Sequence, residues 1–440
     1  MAEQSEVAHT LDLSLRIGEM LLSNGAGAAD VTATMHAVAH HLGVRNPIID
    51  VTFTSMSISY QSIEDDVPLV MMRQVKQREI DYEDLTRVDH LVRDLLGNRI
   101  DLAEARAAIA RLSSSGHHRN RWAVTAGWGA MAAGVALMLG GNPLVCAIAF
   151  VAAATIDRLQ IYMASYRLPT FYLQVAGGAV ATLFAVAAAA AELDVDPSLV
   201  VTANIILLLS GIGFMGGLQD ALTGFYVTSC ARLMEALLST GGIIAGVSGG
   251  LSVGSVLGVS VGQLEPGASD LTTIAVMGLG AAICAAAFAF ASYSPKRVMI
   301  PIAVVAWVAI MISFSMRELG LGRIWGVAVA AFFIGLVTYS ISGRIKVPPL
   351  VIVVSAMVPM LPGLSIYRGL ALLSEGELIA TGLLSLITAA SVATALASGV
   401  IFGEYVAQPL RREARRMEKR LAGPRLVGPL RTRKRRSGRS

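Results

Sequence analysis

Between residues 211 and 235 a run of glycines leads into four side chains that can carry charge or hydrogen-bond: Asp220, Thr223, Arg232 and Glu235. Gly211, Gly213, Gly216 and Gly217 weaken a helix inside an otherwise apolar stretch. Backbone groups freed there need a substrate, an ion, water or a neighbouring helix as partner. Ionisable groups in or beside a membrane are costly, so Arg232 is expected to pair with Asp220 or Glu235 and to have a functional role. The plainer alternative is a solvated amphipathic turn near the inner surface. A second cluster comprises Pro362, Gly363, Tyr367 and Arg368. A helix restarting after Pro362-Gly363 presents unpaired N–H groups and a positive dipole end suited to a carboxylate. Arg368 either adds a charge-assisted hydrogen bond or snorkels to the interface. Asp157-Arg158 is a further embedded pair, for which an orientation-setting role is equally open.

Other patterns have simpler readings. Gly246-Val247-Ser248-Gly249-Gly250 fits G-x-S-x-G, but a nucleophile elbow needs a strand before it and a helix after it. Here it falls in a stripe of glycines at 242, 246, 250, 254, 258 and 262, which lets another backbone approach, within one chain or between two copies of a homo-oligomer. The corresponding stripe later in the chain is Ala390, Thr394 and Ser398. His36 and His40 lie four apart without a third ligand nearby, and His117-His118 reads as an interfacial pair. Cys146, Cys230 and Cys284 show no metal spacing and read as small core residues. No G-x-x-x-x-G-K-[ST] loop is present, so direct ATP drive is not expected, and no catalytic, metal or cofactor site is assigned.

The elements that position these groups follow from hydropathy. Of 440 residues 54% are hydrophobic and only 15% charged, with mean hydropathy +0.63, more than a soluble core needs. Ten apolar stretches approach the length that crosses about 30 Å of hydrocarbon. They run over 122–140, 143–164, 171–191, 199–218, 237–261, 273–292, 298–316, 322–341, 349–367 and 378–402. Residues 119–262 and 271–405 read as one five-helix block written twice, about 152 positions apart. An odd number of spans turns the second copy upside down, and such inverted repeats point to alternating-access transport. Lys and Arg gather on the side shared with both termini, which makes that side cytoplasmic, while Glu192, Asp194, Asp196, Glu265, Asp270, Glu375 and Glu377 gather opposite.

Residues 1–118 read as a small cytoplasmic α/β domain. No apolar leader occupies residues 1–10. Leu11, Leu15, Gly18 and Leu22 form one helical face. Asp30 is expected to cap a second helix, strands are expected over 48–54, 57–61 and 69–75, and helices over 83–96 and 101–113. Residues 406–440 form a basic tail, read as a membrane-lipid partner in preference to a nucleic-acid one.

Arg16-Ile17-Gly18-Glu19-Met20-Leu21-Leu22-Ser23-Asn24-Gly25-Ala26-Gly27 and Val31-Thr32-Ala33-Thr34-Met35 resemble the opening helix, turn and second helix of the bacterial threonine/serine exporter family. Asp220-Ala221-Leu222-Thr223-Gly224 with Ala231-Arg232-Leu233 is similar to the family's D-x-x-x-G and A-R-L segment. Val358-Pro359-Met360-Leu361-Pro362-Gly363 with Tyr367-Arg368 is similar to its V/I-P-x-x-P-G-x-x-x-Y-R pattern. Asn24 stands where Ser is usual, and Ser210-Gly211 where Pro-Gly is expected. The resemblance implies a ten-helix exporter of threonine and serine in the bacterial inner membrane, driven by protons. Two-subunit relatives associated with dicarboxylate export keep succinate open as an alternative, and a scaffold with a partner-binding front domain is a third. For a zwitterion, the N–H groups near Gly211 and Gly363, with Arg232 or Arg368, would take the carboxylate. Asp220 or a backbone carbonyl would take the ammonium, and Thr223, Ser210 or Asn204 the hydroxyl. Asp220, Glu235 or Asp157 would carry the coupling proton.

Overall fold

The computed structural model describes residues 2–61, 67–75, 80–114, 119–209, 211–258, 271–375 and 379–421. The front part contains α1 (Ala2–Ser23), α2 (Ala28–His41), β1 (Ile48–Val51), β2 (Ser55–Tyr60), β3 (Leu69–Gln74), α3 (Tyr82–Leu96) and α4 (Leu102–Ser114). The strands form an antiparallel sheet in the order β1-β2-β3, with Ile58 opposite Ile49 on one side and Met71 on the other. β2 starts two residues before its expected position because Thr52 and Ser55 close a tight turn, Thr52 N donating to Ser55 O at 2.9 Å. Leu11, Leu15 and Leu22 are buried as their helical spacing requires, against Val31, Met35 and Val38 of α2. Gly18 permits that approach, since a Cβ there would lie 2.5 Å from the Met35 sulfur. The Asp81 side chain accepts from the backbone N–H groups of Glu83 and Asp84 and so starts α3.

The rest is helical: α5 (Arg121–Met138), α6 (Pro143–Ser165), α7 (Thr170–Ala190), α8 (Pro197–Leu208), α9 (Gly211–Leu222), α10 (Tyr226–Val256), α11 (Leu271–Ala291), α12 (Met299–Glu318), α13 (Gly322–Ile345), α14 (Pro349–Met357), α15 (Gly363–Glu375) and α16 (Ile379–Leu421). Asn142 and Asp196 cap α6 and α8, each followed by a proline whose missing N–H costs a helix start nothing. Among the described residues six helices are long and apolar enough to cross a membrane, and eight if each of two bent pairs counts as one span. Ile300, Val304, Leu384 and Ile387 are more than half exposed, a surface suited to lipid tails. α16 runs on to Leu421, so the start of the basic tail continues a helix. Residues 422–440, together with His117, His118, Gly262, Glu265 and Asp270, lie outside the described residues.

The two bent pairs are α8 with α9, at 42°, and α14, through a 3₁₀ turn, with α15, at 48°. In each, a leucine with extended backbone interrupts the helix, Leu209 with ψ 130° and Leu361 with ψ 141°, 152 positions apart. They touch reciprocally: a Cβ on Gly211 would sit 3.1 Å from Leu361, and one on Gly363 would sit 2.9 Å from Leu209.

Helix pairs α7–α10 and α13–α16 pack through glycine. A Cβ on Gly242 would fall 2.6 Å from Phe171 O, one on Gly246 2.0 Å from Val175 O, and one on Gly250 2.7 Å from the Thr182 side chain. Ser248 therefore sits within α10, without the strand that an elbow requires. In the second pair the small residues that meet the partner helix are Gly399 and Gly403, 2.6 Å from Ala328 O and 2.3 Å from Phe332 O by the same measure. Thr394 and Ser398, expected there, are exposed instead. The offset between these two stripes is 153, one residue longer than between the breaks, and that rotates the contact face by one position along α16. Cys284 is buried, whereas Cys230 faces outward from α10 and is not a core residue.

Gly246→Ala is expected to destabilise the protein by about 1–3 kcal/mol through overpacking. Gly249→Ala, on the open face of the same helix, should be neutral or stabilise by up to about 1 kcal/mol. Thermal unfolding in detergent distinguishes them, and equal midpoints for the two variants would contradict the packing account.

Candidate functional site

Arg232 and Asp220 form an ion pair 3.2 Å long, with side chains 10% and 2% exposed. α10 begins at Tyr226, well ahead of the expected span, so Arg232 lies inside a helix and not in a solvated turn. α9 and α10 pack side by side, and Gly216 leaves the space the guanidinium fills, since a Cβ there would be 2.9 Å from Arg232 Nη1. Two further bonds of the pair go to the front part. Ala28 N donates to Asp220 Oδ1 at 3.0 Å, and Arg232 Nη2 donates to Ala26 O at 3.1 Å. Asp30 does not cap α2. Gly27 is its N-cap without a side-chain bond, Asp30 lies in its first turn, and Asp220 supplies the acceptor from another part of the chain. Further contacts hold the front part to the same end of the helices: Thr228 Oγ1 donates to Val51 O, Tyr82 N donates to Ser292 O, and His90 Nε2 meets Lys346 O at 2.9 Å.

Two cavities flank the pair. The first, about 360 Å³, lies where both bent pairs break, lined by Gly211, Gly213, Leu361 and Gly363 with Arg232, Glu235 and Ser239 of α10. Ser23, Gly25 and Tyr82 close it from the front part. The second, about 560 Å³, opens between α2, α3, the end of α9, the start of α14 and the middle of α16, and holds Asp220 and Thr223 with Asp30, Asp89 and Glu404.

Thus Gly211, Gly363, Arg232 and Glu235 come together around the first cavity, and Asp220 and Thr223 around the second. Thr223 Oγ1 donates to the backbone oxygens of Gln219 and Asp220. Asn204 is fully buried in α8, its amide donating to Val200 O, and lines neither cavity. Pro362 is buried beside Gly363, while Tyr367 and Arg368 line neither cavity, Arg368 lying within electrostatic reach of Arg323. Ser210 lies outside the described residues. Asp157 sits apart, accepting from Thr125 and facing Arg121 at 3.6 Å, while Arg158 stacks on Trp122. His36 and His40 are on the exposed face of α2. Residues that the sequence reading did not assign are the Ala26 carbonyl, the Ala28 amide, Ser239 and Glu404. Backbone groups carry no residue-type signal, and Glu404 lies just past the apolar run expected to end at 402.

A family model described as "Putative threonine/serine exporter" matches residues 12–254. A second, described as "Threonine/Serine exporter, ThrE", matches residues 277–406. The chain is 35% identical over 425 residues to a protein of Mycobacterium tuberculosis named "Probable threonine/serine exporter", covering 94% of this chain and 80% of that one. It is 32% identical over 424 residues to a Corynebacterium glutamicum protein named "Threonine/serine exporter", covering 94% and 86% respectively. No solved structure matches.

Two acids on the seam between the front part and the helices hold protons more tightly than usual. Desolvation against the packed seam, and then the Asp220 charge, raise the Asp30 pKa above 3.8, although the residue keeps an exposed edge. Burial raises that of Asp89 against the opposing pull of Arg93 and His90. Because the folded pKa exceeds the unfolded one, the contribution to stability is complete below about 3.8 and is lost as pH rises through the raised values. Asp30→Asn is therefore expected to raise the melting temperature at pH 7, with the gain shrinking as pH falls toward 3.8. A gain that does not change with pH would contradict this assignment.

Proposed function

This chain belongs to the threonine/serine exporter family, and from that premise we propose that it exports threonine and serine by proton-coupled secondary transport through a bacterial inner membrane. The observation that carries the reading is the buried Asp220–Arg232 pair between two cavities, the first of them at the helix breaks. An amino-acid zwitterion complements such a pair head to tail, its carboxylate taking a charge-assisted bond from the guanidinium and its ammonium giving one to Asp220. Ser239, in the first cavity, can meet the hydroxyl. A site that hydrogen-bonds a substrate hydroxyl discriminates strongly against analogues lacking it. Succinate would need two converging cations, and Arg232 is the one cation among the described residues lining the first cavity.

The proposed architecture is ten spans in two inverted five-helix repeats, a cytoplasmic front domain over residues 1–118 and a basic tail after 405. The breaks 152 positions apart, with their reciprocal Gly211–Leu361 and Gly363–Leu209 contacts, support a pseudo-twofold axis in the membrane plane. The same packing order recurs in both halves: α5–α6, α7–α10 and α9–α10 have counterparts in α11–α12, α13–α16 and α15–α16. The basic residues Arg119, Arg158 and Lys346 lie at the end that carries the front domain, which supports a cytoplasmic assignment of that end. Alternating access would then rock one repeat against the other around the pair. Asp220 is the proposed proton carrier, because protonating it would release both the ammonium and Arg232.

Labelled threonine flux in proteoliposomes, with serine, succinate and a pH gradient varied in turn, tests the reading. Serine should compete, succinate should not, and the gradient should drive accumulation; succinate flux alone would overturn it. Arg232→Lys, which keeps the charge but loses the planar fork, should lower kcat/KM at least about tenfold. Asp220→Asn should abolish gradient-driven flux at an unchanged membrane level, and gradient-driven flux at the wild-type rate would remove Asp220 from the mechanism.

A further inference from the structure

The ion pair assigned to the substrate is already occupied, and its occupant is a peptide of the same chain. Ala26 offers its carbonyl oxygen to Arg232, and Ala28 offers its N–H to Asp220. A zwitterion would offer a carboxylate oxygen and an ammonium N–H to the same two groups. The peptide is aimed by local structure. α1 ends where Gly25 takes φ +93°, Ala26 N bonds Leu21 O at 3.0 Å, and the Asn24 amide donates to Met20 O at 2.7 Å. The turn lies directly against the acid, a Cβ on Gly27 falling at ordinary contact distance, 3.5 Å, from Asp220 Oδ1. Ala26 and Ala28 are 4% and 0% exposed, so the seat is filled.

We propose that residues 26–28 are a built-in substrate mimic, a plug that holds the transport pair until substrate displaces it. This rests on the transport reading above. Peptide N–H and C=O groups bonded to an ion pair carry no net charge, whereas a zwitterion meets each end with a full opposite charge and stronger bonds. Substrate can therefore evict the turn once its concentration suffices. Thr228 to Val51, Tyr82 to Ser292 and His90 to Lys346 keep the front part attached meanwhile, so only the turn has to withdraw. The plug thus sets a substrate threshold for export and keeps the pair from binding other ions when substrate is scarce.

The test is Ala28→Pro in the full chain. It deletes the N–H donated to Asp220 and puts the ring Cδ where that hydrogen was, against Oδ1, so the turn must leave its seat; proline otherwise suits the first position of α2, and Gly27, at φ −69° and ψ 151°, already has the extended backbone a following proline requires. With one hydrogen bond to a charged group removed from the competing plug, the apparent KM for threonine should fall at least roughly tenfold. In the wild-type protein, saturating threonine should speed hydrogen–deuterium exchange at residues 28–31, and this second readout does not depend on the variant folding. A folded Ala28→Pro protein with unchanged or higher KM would overturn the plug. So would exchange at residues 28–31 that threonine leaves unchanged or slows while threonine flux proceeds, and in that case the transport reading stands. Wild-type protein that moves no threonine overturns the transport reading and the plug with it.

Discussion

A buried ion pair is stable only when its remaining donors and acceptors are also bonded, because desolvating two charges costs more than their mutual attraction alone returns. The Asp220–Arg232 pair is bonded toward that condition by three parts of the chain. α9 and α10 supply the charges, Gly216 supplies the space, and the turn between α1 and α2 supplies a peptide N–H and a carbonyl. This requirement links the front part to the helices: without the turn, the outer atoms of the pair need water, substrate or each other. It also explains why the front part sits at the end of the helices where α9 stops and α10 starts, with the flanking contacts to Thr228, Ser292 and Lys346 around it.

The helix breaks impose a second requirement of the same kind. A spanning helix that stops partway leaves N–H and C=O groups that lipid cannot satisfy, so non-helical backbone persists only against protein or a polar cavity. Leu209 and Leu361 solve this together, each extended segment lying against the glycine that restarts the other helix. The cavity beside them is lined by both breaks and by Arg232. Around this centre, close packing through Gly246 and Gly250 on one side and Gly399 and Gly403 on the other gives two tightly packed helix pairs.

Much of this was legible from residue types. The apolar stretch from 143 marked α6, the glycine run from 211 marked a weakened span, the leucine spacing of α1 marked its buried face, and Arg232 was expected to pair with Asp220 or Glu235. What was illegible depends on distance in space. The start of α10 at Tyr226 lies ahead of the apolar run because an arginine neutralised by an acid no longer ends a buried helix. Tyr367 and Arg368 followed a break as Gly211 does, yet hydropathy cannot say which way a side chain turns after it, and they line neither cavity. The second small-residue stripe was read one position early because a single extra residue precedes α16. Above all, the Ala26 carbonyl and Ala28 amide belong to the backbone, which every residue carries, so a motif that marks the turn does not tell what its peptide groups bond.

The central claim is that Asp220 and Arg232 act on substrate as one unit, and a double-mutant cycle on threonine binding to the solubilised protein tests it most directly. Asp220→Asn, Arg232→Gln and the double variant would be compared with wild type at fixed pH and salt. The account predicts strong coupling: either single change removes most of the affinity, and the double variant binds no more weakly than the worse single one. Losses that simply add, or wild-type affinity in any of the three variants, would contradict it.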